Sequence, residues 1–166
     1  RCGTTASGVR GRGRTVLKLR PVPIALREAN DFVEQYHRHN KRTQGGRFAI
    51  GATTGEALVG IAIVGRPIAR LLDDGYTAEV TRCCVLDESP KGTCSFLYGR
   101  CWRIWQQMGG IRMVTYTLQM ESGSSLKGAG WKIVGENVIG GGWNREGRER
   151  NWQPIYGQLK FRWETT

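Results

Sequence analysis

The stretch at residues 78–109, AEVTRCCVLDESPKGTCSFLYGRCWRIWQQMG, decides the fold of this chain. Residues 78–85 are mostly small or β-branched apolar types, and Glu79 and Arg82 are the only charges among them. This composition predicts a largely buried strand. Because a buried charge is costly unless it is paired or used, these two side chains are the first candidates for a functional site.

A polar loop at residues 87–93 follows the strand, and a helical pattern follows the loop. Apolar side chains then recur every three or four positions, at Phe96, Leu97, Cys101, Ile104, Trp105 and Met108. This spacing predicts an amphipathic helix that ends at Gly109 and Gly110. The loop and helix N-terminus present free backbone N–H groups, which favour phosphate or pyrophosphate. The predicted cofactor-binding residues are Val85, Lys91, Gly92, Thr93, Cys94 and Ser95.

The composition indicates one basic domain. The 166 residues are enough to bury a core, and the net charge of +11 with a pI of about 10 points to a polyanionic partner such as DNA or another nucleic acid. Simple solvation of a basic surface is the alternative interpretation.

The cysteine pattern and the hydropathy of the sequence indicate the cellular compartment of the protein. The five cysteines include no CxxC pair, and the adjacent Cys83 and Cys84 would point to opposite faces of a strand, so we expect free thiols in a reducing cytoplasm. No apolar run reaches the length of a membrane span, so no membrane partner is expected. Since the sequence starts at Arg1 without a methionine, we expect that a preceding segment is missing or processed.

Three basic segments are candidates for nucleic-acid contact. Residues 1–15 are predicted to form a flexible basic arm that contains RGRGR, and residues 16–166 form the domain. The other two segments supply His37, Arg38, His39, Lys41 and Arg42, and then Arg145, Arg148 and Arg150. The HxH pair could ligate a metal, but no third ligand is evident in the sequence, so anion or nucleic-acid contact is favoured and no metal is predicted.

The remaining pattern predicts a mixed α/β domain. Strands are predicted at 16–19, 48–52, 57–64, 113–118, 132–136 and 159–164, and helices at 25–36 and 121–131. Ser122 is the predicted N-cap of the last helix.

The order of these elements and the phrase SLKGAGWKIVGE at residues 125–136 resemble the GNAT acyltransferase superfamily. Within it, Glu79, Arg82, Pro90, Lys91 and Ser95 are similar to positions of the Mom-type phage DNA-modification proteins. Ser89 stands where the superfamily usually has Gln or Arg. The resemblance implies a GNAT-like single domain with a mixed central sheet, an acyl-CoA or related acyl donor, and transfer to the exocyclic amine of adenine in DNA.

Acyl transfer to an amine requires a neutral nucleophile and a proton donor for the leaving group. Glu79 is the candidate base, Arg82 an anion-binding or orienting residue, and Tyr116 and Ser124 supply hydroxyls near the leaving thiolate. Strand residues three apart point to opposite faces, so Glu79 and Arg82 share one face only if a bulge intervenes. Cys83 and Cys84 are better explained as small core residues than as nucleophiles.

Two other classes of function stay open at this stage. One is a GNAT enzyme that acetylates a small amine or an aminoacyl-tRNA. Tight coenzyme A binding without DNA affinity would favour this class. The other is a non-enzymatic nucleic-acid-binding module, which salt-sensitive DNA binding without any product would favour.

Overall fold

A computed structural model of the chain describes residues 18–37, 40–55, 57–139 and 157–166. They form seven strands and three α-helices: β1 Leu19–Pro23, α1 Leu26–Tyr36, β2 Phe48–Thr54, β3 Ala57–Gly65, β4 Thr77–Val85, α2 Thr93–Gln107, β5 Arg112–Leu118, α3 Ser124–Gly128, β6 Lys132–Ile139 and β7 Leu159–Thr165. The predicted arm at residues 1–15 lies outside the described residues. No helix in the described ranges is long and apolar enough to cross a bilayer.

The strands form one mixed sheet in the order β1-β2-β3-β4-β5-β7-β6. All neighbours are antiparallel except β4 and β5, which are parallel. One face, the α2 face, packs Leu97, Cys101 and Trp105 of α2 on the sheet together with Leu126 of α3. The opposite face, the α1 face, packs Phe32 and Val33 of α1. The predicted single α/β domain is therefore confirmed.

Two predicted elements differ from the structure. The first described strand is Leu19–Pro23, which begins where the predicted strand at 16–19 ends. The helix predicted at 121–131 is confined to Ser124–Gly128, and its N-cap is Gly123 rather than Ser122. Gly123 and Gly130 have φ values of 60° and 83°, a left-handed conformation that cannot continue a helix.

The strands β4 and β5 pair only where they begin. Thr77, Ala78 and Glu79 pair with Arg112, Met113 and Val114, and no further pairing between these strands follows. The Thr115 hydroxyl donates to the Val80 carbonyl over 2.9 Å where the ladder ends. Beyond this point the sheet opens, and the edge of β4 that faces β5 has no strand partner in the described part of the chain.

A β-bulge in β4 sets the direction of its side chains. Ile63 of β3 pairs with Arg82 and Val64 pairs with Val80, so Thr81 is an extra residue on β4. Val80 packs on the α2 face before the bulge, and Cys83 packs there after it. The bulge therefore places Glu79 and Arg82 together on the α1 face, which simple alternation would forbid.

Candidate functional site

A pocket of about 210 Å³ lies where β4 ends and α2 begins. Gly92, with φ 88°, is the N-cap of α2, and the Thr93 hydroxyl donates to the Pro90 carbonyl over 2.6 Å, which fixes the loop against the helix. Five of the six predicted cofactor-binding residues line this pocket: Val85, Lys91, Gly92, Thr93 and Cys94. The sixth, Ser95, lies outside the lining and instead donates its hydroxyl to the Ser125 carbonyl over 2.8 Å, tying α2 to α3.

A second pocket of about 230 Å³ continues from the first toward the ends of β4 and β5. The two pockets share Cys94 and Ser125, and we call them together the cleft. Cys83, Tyr98, Thr117 and the predicted catalytic Ser124 line the second pocket. The Ser124 hydroxyl accepts a hydrogen bond from Ser122 over 3.1 Å. The cleft thus runs along the α2 face from the helix N-terminus to the opening between the strands.

The cysteines of β4 differ in their surroundings. Cys83 faces the cleft and Cys84 faces α1, so the predicted opposite orientation of this adjacent pair is confirmed. Burial raises the pKa of Cys84 to about 11, consistent with its interpretation as a core residue. The Cys94 thiol is different, because hydrogen bonds with Cys83 and Ser125 outweigh burial and lower its pKa to about 7. The sequence analysis assigned Cys94 only to donor binding, although its position at a helix start was a signal for reactivity.

Glu79 lies on the α1 face beside the opening, and only 3% of its surface is exposed. Its carboxylate accepts a hydrogen bond from the Ile68 backbone N–H over 2.8 Å. Burial raises the Glu79 pKa from 4.5 to about 7, against the lowering influence of the Ile68 hydrogen bond and the charges of Arg82 and Lys160. A carboxyl with this pKa exchanges protons near neutral pH, as a general base must.

Arg82 holds a neighbouring segment against the strand. Its Nε donates to the Lys41 carbonyl over 2.8 Å, and its Nη1 donates to the Thr81 carbonyl over 2.7 Å. The guanidinium therefore anchors the chain around Lys41 beside the face that carries Glu79. Orientation of this segment is a role for Arg82 that the geometry directly supports.

The predicted hydroxyls of Tyr116 and Ser124 do not meet in one place. Tyr116 is half-buried on β5, and burial followed by the charge of Glu79 raises its pKa, so it belongs to the α1 face. Ser124 lies on α3, which packs on the α2 face. The structure therefore groups Glu79, Arg82 and Tyr116 on one side of the opening and Ser124 with the cleft on the other.

No protein-family model and no curated protein sequence matches this chain. Solved structures do match it. The ribosomal-protein-S18-alanine N-acetyltransferase from Escherichia coli has a TM-score of 0.61 at 10% identity, over 89% of this chain and 92% of that one. A Bacillus subtilis acetyltransferase in complex with CoA has a TM-score of 0.57 at 13% identity, over 89% and 97%. A GNAT-family acetyltransferase from Bacillus anthracis has a TM-score of 0.59 at 10% identity, over 89% and 93%.

The chain has the GNAT fold. The superfamily-level resemblance in the sequence is thereby supported at the level of fold, and the closer likeness to Mom-type proteins stays a prediction.

Within this GNAT fold, β7 adds polar side chains that the sequence analysis missed. Lys160 and Arg162 pair with Leu118 and Tyr116 of β5, so they lie on the α1 face, where the charge of Lys160 acts on Glu79. The Nε of Arg162 and the Oε1 of Glu164 lie 3.2 Å apart, but they are misaligned for a hydrogen bond and neither has another one among the described residues. The polar alternation in LKFRWE was the available signal.

The predicted nucleic-acid residues differ in whether neighbouring carboxylates offset their charges. Lys41 is exposed, whereas Arg42 donates to Asp31 over 2.7 Å and to Glu34 over 2.8 Å. Two carboxylates thus offset the charge of Arg42, which argues against its predicted role as a phosphate contact. The Nδ1 of His37 accepts the Asn40 N–H at 3.4 Å. The predicted contacts Arg38, His39, Arg145, Arg148 and Arg150 lie outside the described residues.

Proposed function

We propose that this chain is an N-acyltransferase that moves an acyl group from an acyl-CoA to an amine. The observation that carries the proposal is the opening between β4 and β5. The cleft with its helix N-terminus reaches this opening from the α2 face, and the buried Glu79 borders it on the α1 face. A donor and an acceptor that approach from opposite faces would meet there.

The cleft suits a long donor with a pyrophosphate at one end. The first N–H groups of a helix lack intrahelical partners, and the N-terminus of α2 opens into the pocket beside Lys91 and Gly92. The unpaired edge of β4 offers backbone groups for the amide groups of a pantetheine arm. The CoA complex of the Bacillus subtilis structure with the same fold supports this class of donor.

Glu79 is the residue proposed to accept the proton of the attacking amine, directly or through one water. A carboxyl with a pKa of about 7 is ionised in part at neutral pH and is basic enough to take up a proton. The amine nitrogen then bonds to the acyl carbon and the bond to the donor sulfur breaks. Ser124, which lines the cleft, is the residue proposed to protonate the departing thiolate.

The proposed acceptor is the amine of a nucleic-acid base, as in the Mom-type resemblance. The net charge of +11 supports a polyanionic acceptor, and Arg82 holds the segment with the exposed Lys41 on the side where the acceptor would bind. A small-amine acceptor is the second candidate, which the burial of Glu79 favours because a small molecule reaches a buried carboxylate more easily.

Transfer from labelled acetyl-CoA to DNA, tRNA and small primary amines tests the proposal. The expected product is an acylated base detected by nucleoside mass spectrometry, with Glu79→Gln as the matched inactive control. Acylation of small amines alone would favour the second candidate. Salt-sensitive DNA binding without product from any acyl-CoA would instead identify a non-enzymatic binding module.

A further inference from the structure

Cys83 and Cys94 form a pair of free thiols inside the cleft. One comes from β4 and the other from the first turn of α2, and both line the second pocket. Cys94 lines the first pocket as well, so it borders both parts of the cleft. Both residues are partly exposed.

The two thiols are chemically unequal. The hydrogen bond between them lowers the pKa of Cys94 and raises that of Cys83, whose burial raises its pKa further. The Ser125 side chain also hydrogen-bonds to Cys94, and the start of a helix stabilises a thiolate. A thiolate beside a neutral thiol is the arrangement needed for attack by one sulfur and resolution by the other.

We propose that the Cys83 and Cys94 pair is a thiol–disulfide exchange site for small disulfides, with Cys94 as the attacking sulfur and Cys83 as the resolving one. The Cys94 thiolate attacks one sulfur of a disulfide RSSR, forms a mixed disulfide and releases RS⁻. Cys83 then loses its proton and attacks the Cys94 sulfur, which forms the Cys83–Cys94 disulfide and releases the second RS⁻. The protein dithiol is oxidised by two electrons, and RSSR is reduced to two thiols that take up the two protons.

The disulfide of coenzyme A and oxidised glutathione share this chemistry and differ in their remaining contacts. Naming coenzyme A as the preferred thiol rests on the proposed function, because only its pyrophosphate would use the helix N-terminus. We expect the CoA disulfide to react about tenfold faster than oxidised glutathione at equal concentration.

The test uses the reduced full chain, each disulfide in turn, and peptide mapping by mass spectrometry. The wild type should form the Cys83–Cys94 disulfide. Cys83→Ala should stop at a mixed disulfide on Cys94, and Cys94→Ala should leave Cys83 unmodified. Cys84→Ala is the matched control and should react like the wild type, since its thiol lies on the other face. Melting temperatures check that each variant is folded.

Modification of other cysteines while Cys94 stays reduced would overturn the proposal, as would a mixed disulfide on Cys83 in Cys94→Ala. Equal rates with both disulfides would leave the exchange site standing and count against the coenzyme A cleft. Absence of exchange in a chain that still transfers acetyl groups would overturn the thiol pair alone. The two proposals therefore fail separately.

Discussion

The backbone N–H of Ile68 is the hydrogen-bond donor to the buried Glu79 carboxylate, at 2.8 Å. This contact brings the segment after β3 against the middle of the sheet, while leaving the carboxyl buried enough to hold its proton near neutral pH. Burial raises the pKa of Glu79, and the direction of this shift predicts how the stability and the activity of the protein change with pH.

Glu79→Gln should make the protein more stable above neutral pH. The folded state raises the Glu79 pKa from 4.5 to about 7, so it binds the proton more tightly than the unfolded state. The contribution of Glu79 is therefore most favourable below pH 4.5, and it falls by about 3 kcal/mol as the pH rises through 7. The glutamine side chain of the variant keeps an acceptor for the Ile68 N–H without ionising. Urea unfolding at pH 5 to 8 should show that the free energy of unfolding depends less on pH in the variant than in the wild type. The same pH dependence in both proteins would contradict this.

The same substitution should remove activity. As a general base, Glu79 must be ionised, so kcat/KM in the wild type should rise with pH through about 7. Glu79→Gln should lower kcat/KM by about a hundredfold or more and abolish this rise. Full activity in a folded Glu79→Gln variant would remove Glu79 from the reaction.

Gly92→Glu should abolish donor binding, with Gly75→Glu as its control. Both glycines have positive φ, 88° and 84°, and both would point a Cβ into open space. The cost of holding a glutamate in this left-handed conformation, about 1–2 kcal/mol, should therefore be similar in the two variants. Only Gly92→Glu places a carboxylate at the helix N-terminus that would hold a pyrophosphate. Calorimetry with CoA checks this, and equal loss of affinity in both variants would indicate a general effect of folding.

Lys41→Gln should weaken DNA binding and lower its salt slope by about one, whereas Arg42→Gln should change the slope little. The reason is that Asp31 and Glu34 already offset the charge of Arg42. Replacing Arg145, Arg148 and Arg150, or deleting residues 1–14, should lower the slope by about one per lost phosphate contact. Unaltered slopes in all these variants would mean that the +11 charge serves solvation only.

Gly110→Ala should destabilise the fold far more than Gly109→Ala. A Cβ at Gly110 would overlap the indole of Trp105, which is fixed by hydrogen bonds of 3.0 Å to the carbonyls of Tyr76 and Arg112. A Cβ at Gly109 meets open space and suffers only from its φ of 87°. We expect losses of about 3 kcal/mol for Gly110→Ala and about 1 kcal/mol for Gly109→Ala, measured by denaturant unfolding. Similar losses would show that the indole moves aside.

The sequence allowed most of the strands, the long helix and the glycine-bearing loop between β4 and α2 to be predicted, because each follows from local periodicity and glycine placement. It allowed Glu79 and Arg82 to be singled out, but not the face they share. That face depends on the bulge at Thr81, which is fixed by pairing with β3 rather than by the strand itself. The ion pairs of Arg42 also depend on tertiary structure, because they join Arg42 to Asp31 and Glu34 of α1, so the sequence could not predict them.

A sheet that opens between β4 and β5 also has a kinetic consequence. A reactant bound on one face does not obstruct the path of a reactant on the other, so neither has to leave before its counterpart arrives. Under the proposed function, this geometry favours random order of addition and lets a macromolecular acceptor dock while the nucleotide end of the donor stays in place. A bulky acceptor then needs only to present one amine to the opening.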